Sequence, residues 1–139
     1  MSQSIRFAGV RKVIASRMQH SLQSSAQLTY HARADISLMG PALKAWKDAG
    51  KPIGLQDCLI LALCRALAAH PMLNGTADED GYTLQEGVDL AMAFSTRAGL
   101  VTPVLRGIKG LDLAEIAARR RELTARALEG KLKVSEMSG

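Results

Sequence analysis

Residues 55–70 read Leu55-Gln-Asp-Cys-Leu-Ile-Leu-Ala-Leu-Cys-Arg-Ala-Leu-Ala-Ala-His70, apolar nearly all round a helical wheel. Pro71 stops the run, so the stretch predicts a helix buried on most sides. It carries Asp57 and Arg65 and falls short of the roughly 20 residues that span a bilayer. Its two thiols, Cys58 and Cys64, point about 120° apart on a helix and are poorly placed for a disulfide, which fits buried thiols in a reducing compartment. Downstream the periodicity changes to two. Over residues 88–96, Val88, Leu90, Met92 and Phe94 share one face while the small Ala91 and Ala93 lie on the other, and small residues permit close packing against a helix or a ligand. Ala98-Gly99 turns the chain into residues 100–106, where Pro103 supplies no N–H and predicts an edge or a bulge. Between helix and strands, Asp80-Gly81 sits at the turn of a hairpin over residues 73–86, with Tyr82 and Leu84 on its packed side. A buried helix against paired strands reads as α+β.

Upstream, Val10, Val13, Ile14, Met18 and Leu22 recur at helical spacing over residues 10–22. Arg17 interrupts that stripe, about 20° from Val10 on the wheel, and a charge there needs a carboxylate or a path to water. A snorkelling arginine and a buried pair both satisfy that need. Residues 27–37 alternate without a fault and predict a half-buried strand with Leu28, Tyr30, Ala32, Ala34 and Ile36 on one face. Gly40-Pro41 opens a short helix with Leu43 and Trp46 inward, and Gly50-Lys51-Pro52 closes it. Asp112 with Glu115 predicts a capped last helix ending at Gly130, and Arg119-Arg120-Arg121 read as its solvated face, with an anion contact as the alternative.

The chain has 139 residues, a single domain or a piece of one at roughly 100–200 residues per domain. Its net charge of +5 and pI of about 9.6 suit an anionic partner, a phosphate-bearing cofactor or a nucleic acid, and select neither. Aromatic residues are only 4%, which leaves little platform for stacking bases, and Lys and Arg are scattered through every element; a nucleic-acid partner is not expected. The N-terminus lacks the pattern of a signal peptide, so the expectation is a soluble, cytoplasmic protein with no membrane partner. His20, His31 and His70 lie in three separate elements with no metal-ligand spacing, and no phosphate loop, nucleophile elbow or paired-carboxylate constellation appears. No metal is expected.

The residues nonetheless resemble a family. Val10-Arg-Lys-Val-Ile-Ala-Ser-Arg-Met18 is similar to the opening helix of the catalytic domain of the dihydrolipoyl acyltransferases, the core component of 2-oxo acid dehydrogenase complexes. Ala26-Gln-Leu-Thr-Tyr30 with Ala34-Asp-Ile36, the long helix through His70-Pro-Met-Leu-Asn74, Gly87-Val-Asp-Leu-Ala-Met-Ala93, Gly99-Leu-Val-Thr-Pro-Val-Leu-Arg106 and the helix over residues 113–133 follow in family order. Gln27 stands where many relatives have His, and Ala26 where they have Pro. The resemblance implies a chloramphenicol-acetyltransferase-like fold, a mixed sheet with packed helices, here incomplete. Residues 1–139 are then the N-terminal portion of one catalytic domain, with the lipoyl and subunit-binding domains absent.

The activity implied is movement of an acyl group between a lipoyl thiol, carried on a separate domain, and coenzyme A. The implied partners are a homotrimer, a larger core assembly and the other dehydrogenase-complex subunits. In the family a His of an H-R-x-x-D-G motif takes the thiol proton and a Ser or Thr of a T-x-S-N-L-G-like segment stabilises the oxyanion. Neither motif occurs in the 139 residues, which predicts that they are inactive alone. The alternative is a non-catalytic truncated form that acts only in binding or assembly. The family's first-helix arginine, which pairs with the Asp of H-R-x-x-D-G and supports the catalytic loop, is matched by Arg17. Ser95, Thr96 and Leu100 are candidates for lining the coenzyme A or lipoamide channel.

Overall fold

The computed structural model describes residues 6, 8–96 and 99–137; Ala98 of the expected turn and Ser138-Gly139 of the tail lie outside them. The chain divides into two units, Met1–Asp35 and Ile36–Gly139.

The first unit is built on α1 (Gly9–Ser24). Its end is tied locally, Ser24 Oγ donating to the His20 carbonyl at 2.8 Å and Gln27 Nε2 to Ser21 Oγ at 3.2 Å. Val13, Ile14, Met18 and Leu22, the apolar stripe, are all exposed. The strand expected over residues 27–37 does not form: these residues have no ladder partner among the described residues, and Tyr30 is 86% exposed. Alternation says which side of a strand could be buried, but a strand also needs a neighbour to take up its N–H and C=O groups.

The second unit runs α2 (Met39–Asp48), α3 (Leu55–Ala69), β1 (Gly75–Ala77), β2 (Tyr82–Leu84), β3 (Leu90–Ala91), β4 (Phe94–Thr96), β5 (Gly99–Val101), β6 (Val104–Leu105) and α4 (Leu113–Leu128), with 3-10 turns at Pro71–Leu73 and Val134–Glu136. Both α2 and α4 end in the same way. Gly50 and Gly130 each adopt φ +69, which lets Lys51 N–H reach the Trp46 carbonyl at 2.8 Å and Lys131 N–H the Arg126 carbonyl at 2.9 Å. At the start of α4 Asp112 and Glu115 cap each other's backbone N–H at 2.8 Å, as their spacing predicts.

Among the described residues the expected sheet is represented by three antiparallel pairs, β1–β2, β3–β6 and β4–β5. The last two are halves of one hairpin. Leu90↔Leu105, Ala91↔Val104, Phe94↔Val101, Ser95↔Leu100 and Thr96↔Gly99 keep a single register, and the gap falls where Met92 faces Pro103. Met92 N–H donates to the Pro103 carbonyl at 2.9 Å, but Pro103 has no N–H to return. The hairpin's inner residues Leu90 and Met92 pack on a core of Ile60, Cys64, Val88, Leu105, Ile108, Ile116 and Leu123. α3 is less enclosed than its composition predicts: Asp57, Ile60 and Cys64 form its buried stripe, whereas Leu59 and Leu63 are 56% and 40% exposed. One face meets α4 and the hairpin; composition alone cannot say how many sides find neighbours. Tyr82 and Leu84 are likewise 44% and 48% exposed, and Tyr82 is held by its hydroxyl, which donates to the Met72 carbonyl at 2.8 Å.

Candidate functional site

The hairpin brings three of the residues singled out in the sequence together near its tip. Ser95 and Leu100 are cross-strand partners and therefore share one face, on which both are exposed. Thr96 lies on the other face and its Oγ1 donates to the Gly99 carbonyl at 2.7 Å, tying the ends of the two strands together. That bond makes Thr96 a structural member of the tip, while Ser95 and Leu100 face outward with Ala91 and Ala93, also exposed. Val104, opposite Ala91 on the same face, is buried, so this face is open toward the tip, at Ser95 and Leu100, rather than along its whole length.

Arg17 belongs to the other unit. It is exposed on α1 and has no ion-pair or hydrogen-bond partner among the described residues, so of the two ways to satisfy its charge the described residues show the path to water.

The buried pair occurs elsewhere. Asp57, at the third position of α3, is fully buried; one carboxylate oxygen, Oδ2, accepts the Gly54 N–H at 2.8 Å and Arg120 Nη2 at 3.1 Å, and Oδ1 accepts Arg120 Nε at 2.5 Å. This two-point contact joins the N-terminal turn of α3 to the middle of α4 and satisfies both oxygens of a carboxylate that has lost water. Reading residues 119–121 as a solvated face is therefore corrected at two of them. Arg120 falls in the α4 stripe of Ile116, Ala117, Leu123 and Ala127, and Arg121 Nη1 donates to the Pro52 carbonyl at 3.1 Å. The signal in the sequence is positional: Asp57 stands inside the apolar run of α3, and Arg120 follows Ile116 by four residues, on the same helical face.

A second set of charges ties the tail to α4. Arg126 Nη1 meets Glu136 Oε1 at 2.5 Å, and the Lys133 N–H donates to the other Glu136 oxygen at 2.9 Å. The Lys133 N–H first, with Arg126 beside it, holds the Glu136 carboxyl below the usual carboxylate range. Arg106, exposed, bridges Asp89 at 3.0 Å and the Ser135 carbonyl at 3.2 Å. Both thiols are free; burial pushes Cys64 up from the ordinary thiol value, and burial with the neighbouring Asp57 charge does so for Cys58. Cys58 is half-buried rather than fully enclosed. His20 is exposed on α1, His31 is exposed in the non-helical stretch after it, and His70 closes α3 as its C-cap. No group of three or more His, Cys, Asp or Glu that could hold a metal occurs among the described residues, nor any helix long and apolar enough to cross a membrane.

The architecture is α+β of the chloramphenicol-acetyltransferase-like kind. It superposes on a truncated catalytic core of the 2-oxoacid dehydrogenase multienzyme complex from Thermoplasma acidophilum with a TM-score of 0.88, at 24% identity, covering 99% of this chain and 65% of that one. The family model described as 2-oxoacid dehydrogenases acyltransferase (catalytic domain) matches residues 1–139, and the chain belongs to that family. It is 36% identical to the dihydrolipoyllysine-residue acetyltransferase component of the acetoin cleaving system of Bacillus subtilis (strain 168), over 99% of this chain and 36% of the relative. To the succinyltransferase component of the 2-oxoglutarate dehydrogenase complex of Escherichia coli (strain K12) it is 31% identical, over 94% of this chain and 33% of the relative. The chain thus spans about a third of the length of these curated relatives.

Proposed function

We propose that residues 1–139 are the N-terminal portion of a dihydrolipoyl acyltransferase catalytic domain, which moves an acyl group between a lipoyl thiol and coenzyme A in the core of a 2-oxo acid dehydrogenase complex. The observation that carries this reading is the match of the acyltransferase family over residues 1–139. In the reaction the coenzyme A thiol gives up its proton to a general base, and its sulfur attacks the carbonyl carbon of the lipoyl thioester. The tetrahedral oxyanion then collapses, expelling the dihydrolipoyl thiolate, which takes a proton. In this proposal the base and the oxyanion donor lie outside the 139 residues. Arg17 acts as a positioning residue: its exposed guanidinium is offered to the Asp of the catalytic loop, as at the matching family position. Ser95 and Leu100 line the channel from the outer face of the hairpin, and Thr96 holds the tip in shape.

The same reading includes a homotrimer within a larger core, a cytoplasmic location, and lipoyl groups delivered on a separate domain. The exposed Val13, Ile14, Met18 and Leu22 on α1 support assembly, because a contiguous apolar stripe needs cover. The test is acyl transfer from acyl-coenzyme A to dihydrolipoamide, measured for residues 1–139 alone and for residues 1–137 joined to the C-terminal catalytic segment of the Bacillus subtilis relative. Turnover by the joined protein alone is expected. Turnover by the 139 residues that survives joint replacement of His20, His31 and His70 would overturn the assignment of the chemistry.

A further inference from the structure

A groove of about 460 Å³ opens between the loop after α2 and the N-terminal half of α4, within the second unit. Trp46, the one tryptophan of the sequence, lines it half-buried, with Pro52, Ile53 and Leu113 completing its apolar surface. Two cations stand on the same groove. Lys51 is exposed and its ammonium has no partner among the described residues; Arg121 spends one N–H on the neutral Pro52 carbonyl and meets no carboxylate there. The one acid on the groove, Asp112, is occupied in capping α4 through the Glu115 N–H. Of the other arginines on α4, Arg120 is matched by Asp57 and Arg126 by Glu136 and Glu122, while Arg119 is exposed and has no ion pair among the described residues.

An aromatic wall beside two cations that no carboxylate pairs, against the single charge of Asp112, complements a ligand that is planar at one end and anionic at the other. The indole and Pro52 supply apolar area for a base, while the guanidinium and ammonium match phosphate oxygens. The volume falls within the range of small-ligand clefts, roughly 300–1,000 Å³. We propose that this groove binds a nucleoside diphosphate, its base against Trp46 and its phosphates on Lys51 and Arg121. Both free ADP and the adenosine diphosphate end of coenzyme A present that chemistry. The site goes beyond acyl transfer and does not need it.

Trp46 makes the experiment direct, since all tryptophan emission comes from the groove wall. Titrating the protein with ADP is expected to give a saturable change in that emission. Lys51→Met and Arg121→Met are each expected to weaken binding by about tenfold or more, with Trp46 emission in the free variants showing that the groove is intact. Adenosine and inorganic phosphate, each carrying half of the recognition, are expected to bind at least about tenfold more weakly than ADP. Coenzyme A matching ADP in affinity would support recognition of the shared end. Absence of saturation up to roughly 10 mM ADP would overturn the site. So would unchanged affinity in both variants, or phosphate binding as tightly as ADP. Binding is read with no thioester present, so a protein that binds ADP and transfers no acyl group counts against the proposed reaction alone.

Discussion

Arg120 and Asp57 lie 63 residues apart in the chain and meet through two hydrogen bonds, from Nε at 2.5 Å and Nη2 at 3.1 Å, in a contact from which the carboxylate is wholly excluded from water. The pair fixes where α4 crosses the first turn of α3, and hence the floor on which the hairpin residues Leu90 and Met92 pack. Arg120→Met would leave a buried carboxylate with only the Gly54 N–H, at an expected cost of about 3–5 kcal/mol. Arg120→Lys should restore little, since a point charge cannot reproduce the fork. The joint change Arg120→Met with Asp57→Asn should cost clearly less than the sum of the single changes. Denaturant midpoints for the four proteins check this.

Pro103→Val supplies the N–H that the hairpin lacks opposite Met92. The added bond is worth about 0.5–1.5 kcal/mol, and the lost rigidity of proline costs about 0.4–1 kcal/mol through the unfolded state, so the net stability change should be small. Hydrogen exchange is the sharper measurement: a protected amide at position 103 is expected, with β3–β6 and β4–β5 merging into one ladder.

Gly75→Ala should be far more damaging than its size suggests. A Cβ there would collide with the Thr83 carbonyl oxygen and stand 2.7 Å from the Tyr82 ring, and the carbonyl belongs to the paired backbone and cannot step aside. Loss of protection in β1 and β2, with α3 and α4 unaffected, is the outcome to look for.

The folded state holds Glu136 below the ordinary carboxylate value, so it binds fewer protons there than the unfolded chain. The stability this contributes is present above about pH 4.3 and lost as pH falls through the lowered folded value. Amides of residues 133–137 should lose protection in that acid window, and Glu136→Gln should remove the dependence. The thiols behave in the opposite sense. Their raised values mean that the folded chain keeps protons the unfolded chain gives up near pH 8.5, so Cys58 and Cys64 should alkylate slowly below that pH in the native protein.

Much of this was legible along the chain, for reasons that are local. The Asp112–Glu115 box, the ends at Gly50 and Gly130, the turn of the 73–86 hairpin and the break at Pro103 depend on residues close in sequence or on the chemistry of one residue. What was not legible depended on neighbours. Residues 27–37 alternate as a strand should, yet no strand among the described residues forms a ladder with them. Leu59 and Leu63 belong to an apolar run, but only one side of α3 meets other elements. Arg120 sits between Arg119 and Arg121 in a run that looks like solvent-facing charge, and only the register of α4 against α3 turns it inward to Asp57. For the candidate site, the two-residue period separates Ser95 from Phe94 and Thr96, whereas the pairing of Ser95 with Leu100 and the bond from Thr96 to Gly99 depend on the register of the two strands.

The most direct test of the central claim, that residues 1–139 contribute to an acyltransferase site supported by Arg17, is the acyl-transfer rate of the joined protein with Arg17 intact, as Arg17→Met and as Arg17→Lys. The account predicts turnover with Arg17, a large fall in rate with Met, little recovery with Lys, and an unfolding midpoint lowered in parallel, about 3–5 kcal/mol if the pair is buried on assembly. Wild-type rate and stability in Arg17→Met, within about 0.5 kcal/mol, would contradict it and leave Arg17 a surface residue of α1.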